Sequence, residues 1–151
     1  KMLSFNGTPD DDIIYTSSES ENCRIPNGMG IFEYLRIFFV DSYSDKKMFV
    51  IYITSNDMAT SWNAVSEVGA GWITQSRHDI FTIEGHRPQA PLNIETEWQT
   101  SKKTGDNITM TAVEADKFIV KVLAICNGLG YKIKDKMSNK HELKRYVSIE
   151  S

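Results

Sequence analysis

Residues 111–130 read TAVEADKFIVKVLAICNGLG. Thr111 and Glu114 have the spacing of a capping box, in which each side chain satisfies a backbone N–H at a helix start. Ala115, Phe118, Ile119, Val122, Cys126 and Leu129 then recur at steps of three and four, which sets them on one helical face. Gly128 and Gly130 follow, as where a helix stops with a residue at positive φ. The stretch predicts an amphipathic helix over about 112–127. A helix with one apolar stripe has to be laid against another layer, so the nature of that layer sets the fold class.

The rest of the chain supplies strands. Gly30 to Val40 predicts a strand apolar on both faces, and Met48 to Thr54 a second, rich in β-branched and aromatic residues. The short polar stretch Asp41–Asp45 makes these two an antiparallel hairpin. Asp79 to Glu84 and Ile94 to Thr100 alternate as strands, and Lys102–Asn107 is a turn toward Ile108–Met110. Tyr131–Lys134 and Tyr146–Ile149 read as short strands, and Ser138 to Arg145 as a helical turn capped by Ser138 or Asn139. Ser55, Asn56 and Asp57 offer caps for a shorter helix over about 58–68, with Met58, Trp62 and Val65 at helical spacing. The expectation is an α+β fold: a mainly antiparallel sheet with one long amphipathic helix on a face.

Residues 1–28 read as an acidic, flexible tail and residues 29–151 as a single domain. Pro9–Asp12 and Thr16–Asn22 are polar and acidic, and a stretch so poor in apolar residues cannot offset its ordering entropy alone. The whole chain of 151 residues is 40% hydrophobic and 25% charged, which suits one soluble globular domain and argues against disorder. No window approaches the apolar length of a membrane span, and no secretory signal is visible, so a membrane partner is not expected. The two cysteines, Cys23 and Cys126, are too few for a disulfide framework, which favours the cytoplasm or another reducing intracellular compartment.

Net charge is −3 but unevenly spread: residues 1–100 carry 7 basic against 14 acidic side chains, and residues 101–151 carry 10 against 6. The basic C-terminal segment, with Lys132, Lys134, Lys144 and Arg145 beside Tyr131 and Tyr146, is the best candidate for a phosphate backbone. Overall acidity weighs against strong binding of that kind. Trp62 and Trp72 are large planar side chains suited to a partner surface, although tryptophans in a domain of this size more often belong to the core.

Enzymatic constellations are weaker. His78, Asp79, Glu84 and His86 contain ligand types for zinc or for general acid and base work. Adjacent strand residues face opposite sides, however, so His78 and Asp79 diverge, and His86 lies past Gly85 where the strand should end. Glu95 and Glu97 share a strand face and could hold Mg²⁺, and Asp79 and Lys102 are available as the third acid and the lysine of a nuclease site, but no tight signature links them and a wet strand face explains them. There is no nucleophile elbow, no phosphate loop and no Cys-x-x-Cys.

These observations set the functional expectation. The chain is read as a non-enzymatic macromolecule-binding protein, an adaptor, inhibitor or assembly component, with viral or phage proteins as one source of such chains. Another protein is the expected partner, and Trp62, Trp72, Lys132, Lys134, Lys144 and Arg145 are the candidate binding residues. No cofactor or metal is expected. The alternatives are a metal-dependent hydrolase or nuclease using His78, Asp79, Glu84 and His86, and nucleic-acid binding through the basic segment.

Overall fold

A computed structural model of the chain describes residues 1–14, 36–37, 40, 48–56, 77–83, 87–88 and 98–150. Among the described residues the elements with defined bounds are α1 (Met2–Phe5), a single 3-10 turn (Asp10–Asp12), β1 (Phe49–Thr54), β2 (Arg77–Ile83), β3 (Gln99–Thr104), β4 (Asn107–Thr111), α2 (Ala112–Leu129), α3 (Lys136–Leu143) and β5 (Ser148–Glu150). The strands form one five-stranded sheet in the order β1-β2-β3-β4-β5. The class is α+β, as expected.

The sheet is mixed, which corrects the expectation of a mainly antiparallel one. β1 pairs with β2, β2 with β3 and β4 with β5 in parallel, and only β3 and β4 run antiparallel. The reason is connection length. Parallel neighbours need a crossover of a dozen residues or more, and residues 55–76 and 84–98 are long enough to provide one. The antiparallel pair is the one with a tight turn, at Gly105 and Asp106, where Gly105 takes φ 57°.

Helix α2 matches its sequence signature closely. Thr111 ends β4 and also caps α2, its hydroxyl accepting from the Glu114 N–H at 3.2 Å. At the other end Gly130 sits at φ 92°, its N–H donates to Asn127 O, and the Tyr131 N–H donates to Cys126 O. This is a Schellman stop, which glycine makes without a Cβ clash. The apolar stripe is buried: Ala115, Ile119, Val122, Ile125 and Cys126 are inside. Ala115, Ile119, Val122 and Cys126 form the main core with Met2, Met110 and Leu143. A fully buried isoleucine or valine stabilises by roughly 1.5–3 kcal/mol, so this stripe is a major term in folding.

A second, smaller core lies on the sheet face away from α2. Tyr52 and Ile80 are its buried centre, with Val50 and Trp98 against them. β2 is buried on both faces in its second half, since Ile80, Phe81 and Thr82 are all inside. Phe81 meets Phe118 of α2 edge-on at 5.3 Å, while Ile80 faces the other way.

Several expected elements are corrected. Of the predicted strand 30–40 only residues 36, 37 and 40 are described, and they are helical. An apolar run suits a helix as well as a strand, so periodicity alone could not separate the two. Residues 131–134 are not a strand but an irregular segment. α3 begins at Lys136 and is capped by Asp135, which accepts from the Ser138 N–H at 2.9 Å, rather than by Ser138 or Asn139. The shorter helix over 58–68 lies outside the described residues.

Residues 1–14 do not behave as a tail. Met2 is in the main core, and Asn6 is fully buried. The remainder of the predicted tail, 15–28, lies outside the described residues.

Candidate binding surface

The inner edge of α2 is fixed to the sheet by a polar seam. The Glu114 carboxylate accepts from the Thr100 N–H at 2.7 Å, so it serves the sheet instead of closing the second half of a capping box. Three residues on, Lys117 donates to Trp98 O at 3.2 Å. One further turn along, Lys121 pairs with Asp79 of β2. Helical spacing of three and four residues thus meets Thr100 of β3, Trp98 just before it and Asp79 of β2.

This seam disposes of Asp79 and His78 in opposite directions. Asp79 points at α2 and its Lys121, while His78 stands on the far face with its ring edge-on to Tyr52 at 5.7 Å. The structure does not bring this pair of the predicted hydrolase residues together, and Glu84 and His86 lie outside the described residues. Among the described residues no three His, Cys, Asp or Glu side chains are grouped as a metal would require. Glu95 and Glu97 are also outside them.

The outer face of α2 is different in character. Val113 and Val120 are 74% and 54% exposed, and Ala124 is exposed as well. Seven residues apart on a helix, the two valines lie on the same side, opposite the buried stripe. Asp116 sits between them on that side, and its carboxylate meets Lys136 and Lys140 of α3, each at 3.4 Å. Hydrogen bonding to Lys136 comes first in holding the Asp116 carboxyl below its usual value; the cost of burial opposes it, and the charge of Lys136 and the same two contributions from Lys140 add to the lowering. Met137, next to Lys136 in α3, is 80% exposed. Asp116 with Lys136 and Lys140 thus makes a three-membered ion cluster that ties the two helices together.

The basic segment is partly committed elsewhere. Lys134 sits over the Phe5 ring at 3.8 Å, a cation–π contact, and its backbone N–H donates to Asn6. Arg145 pairs with Glu142 at 3.1 Å and lies over the Tyr146 ring. Glu142 also accepts from the Tyr146 hydroxyl at 2.6 Å. That hydrogen bond is the largest cause holding the Glu142 carboxyl below its ordinary value, with Arg145 next among the stabilising groups. Lys132 and Lys144 are exposed. Of the predicted four, Lys134 and Arg145 thus have partners within the chain. Trp62 and Trp72 lie outside the described residues, and Trp98 packs on the Tyr52–Ile80 cluster.

Sequence reasoning passed over Val113, Val120 and Met137. The signal was present: the two valines fall on the polar side of α2, where a β-branched residue has no helical advantage. Among the described residues no helix is long and apolar enough to cross a membrane.

Comparison with known proteins gives little more. No family model matches the chain, and no solved structure matches it. Over 87 residues, 58% of its length, the chain is 31% identical to a protein of Bacillus subtilis (strain 168) described as "Uncharacterized protein YddK". The aligned part covers 30% of that protein, so the chain spans under a third of the relative it matches.

Proposed function

We propose that this chain works as a non-enzymatic protein-binding domain, and that the outer face of α2 with the adjoining side of α3 is its contact surface. The observation that carries this reading is the exposure of Val113, Val120 and Met137 on two otherwise well-packed helices. Single exposed apolar residues are ordinary, but two on one helical side, with a further exposed methionine on the neighbouring helix, are side chains that gain by being covered. Complete burial of a valine or methionine is worth roughly 1.5–3 kcal/mol, enough for a few such residues to act as anchors. The ion cluster of Asp116, Lys136 and Lys140 between them would supply a polar, orienting element.

The test is co-purification of the intact chain from its native source, compared with a Val113→Lys/Val120→Lys variant. Both positions are exposed, so the variant should keep its far-UV spectrum and melting temperature and lose its protein partner. Retention of the same partner by the variant would move the contact surface elsewhere. An equivalent of zinc or manganese in the natively purified protein, lost with activity in a His78→Ala/His86→Ala variant, would replace the binding reading with the hydrolase one.

A further inference from the structure

The exposed side of α3 carries a charge pattern that pairing inside the domain leaves unfinished. At the helical repeat, Met137, Lys140, His141 and Lys144 fall within roughly 100° of arc. Lys144 is the C-cap and keeps helical geometry, at φ −59° and ψ −15°. The two carboxylates of the segment lie on the opposite side and are engaged. Asp135 accepts from the Ser138 N–H, and Glu142 accepts from Arg145 and from the Tyr146 hydroxyl. Asp116, arriving from α2, gives one oxygen to Lys136 and the other to Lys140. Lys144 has no ion pair among the described residues.

Asp116 shows how a carboxylate is received here. It bridges two lysines four positions apart, and Lys140 and Lys144 repeat that spacing one turn later. On the same side stands Met137, 80% exposed. We infer, resting on the protein-binding reading of this surface, that the partner presents an acidic, amphipathic peptide segment, with a carboxylate between Lys140 and Lys144 and an apolar side chain against Met137. An exposed ion pair contributes little affinity by itself, so the apolar contact at Met137 supplies attraction while the lysines select by charge. Nucleic acid is the poorer fit. The chain carries a net charge of −3, which opposes a polyanion, and a phosphate backbone offers Met137 nothing apolar.

Amide NMR of the isotope-labelled intact chain tests this with three probes. One is a synthetic amphipathic peptide of glutamate, leucine and alanine, the second is the same peptide with glutamine for glutamate, and the third is a single-stranded DNA oligonucleotide. The glutamate peptide should shift the amides of Met137, Lys140, His141 and Lys144 in a saturable way, and bind several-fold more weakly as salt rises from low to physiological strength. Lys144→Glu, at an exposed position without an ion pair, should fold as the parent does and weaken the peptide roughly tenfold. Lys103→Glu, the same charge change at an exposed position of β3, should leave binding nearly unchanged. The inference is overturned by equal binding of the glutamine peptide, by an equal loss in Lys103→Glu, or by the oligonucleotide moving the same amides at lower concentration. If the glutamate peptide moves nothing on α3 while Val113→Lys/Val120→Lys still loses its native partner, protein binding stands and its acidic partner does not.

Discussion

Asn6 and Asn139 are 133 positions apart in sequence and exchange two amide hydrogen bonds in a site closed to solvent. Each asparagine has further backbone partners: Asn6 holds Met2 O and the Lys134 N–H, and Asn139 donates to Lys134 O and Asp135 O. A buried amide that loses one partner costs roughly 1–3 kcal/mol, because the group left behind stays desolvated. Asn6→Ala and Asn139→Ala should therefore each lower stability by about that amount. The double variant should cost clearly less than the two together, since neither amide is then left facing an empty position. Urea melts of the four proteins complete the cycle. Strict additivity would mean that the pair does not interact.

Val122 is the centre of the α2 stripe and 3% exposed. Val122→Asp places a carboxylate among Ile119, Cys126 and Leu143, where no cation is available among the core residues. The cost of several kcal/mol is a large part of a typical total stability of roughly 5–15 kcal/mol. A thermal melt should show no cooperative transition at neutral pH. Val113→Asp is the control: on the outer side of the same helix it should melt close to the parent.

Glu142 gives stability an acid limit. Its carboxyl is held below the ordinary value of 4.5, first by the Tyr146 hydroxyl and then by Arg145. Depressed in the folded state, it contributes stability that is fully present above 4.5 and lost as the pH falls through the folded-state value. Asp116, lowered by Lys136 and Lys140, acts with the same sign from its own ordinary value of 3.8. The melting temperature should hold from neutral pH down to about 5 and fall below that. In Glu142→Gln the fall should be shallower and the neutral-pH value lower. An unchanged acid profile in that variant would show that the Tyr146–Glu142–Arg145 contacts contribute nothing to folding.

What was legible in the sequence follows the range of the interactions. α2 was readable almost to the residue because its cap, its stripe and its stop all lie within twenty positions. The direction of strand pairing was not, since it depends on how residues 55–76 and 84–98 travel, which no local pattern encodes. The attachment of residues 1–14 was hidden for a related reason. Low apolar content suggested a free segment, whereas the decisive residues are single ones, Met2 and Asn6, whose partners lie more than a hundred positions away. Glu114 shows the same limit on a small scale: its spacing from Thr111 announced a local bond, and its carboxylate went to Thr100 instead. Of the candidate binding residues, Lys134 and Arg145 were visible as charges, but their neighbours Phe5 and Glu142 decide how much of that charge is offered outward.

Thr111 belongs to both β4 and the cap of α2, so no spacer separates the strand from the helix. This makes chain length at that point a constraint of its own. One residue inserted after Thr111 would turn every later side chain of α2 by about 100° around the helix axis, swinging Ile119 and Val122 off the core and separating the cap from Glu114. The turn at Gly105 and Asp106, only a few positions earlier, has open space around it and no such phase to keep. Insertions and deletions should accordingly be found in relatives of this domain at the β3–β4 turn and be absent from the β4–α2 junction.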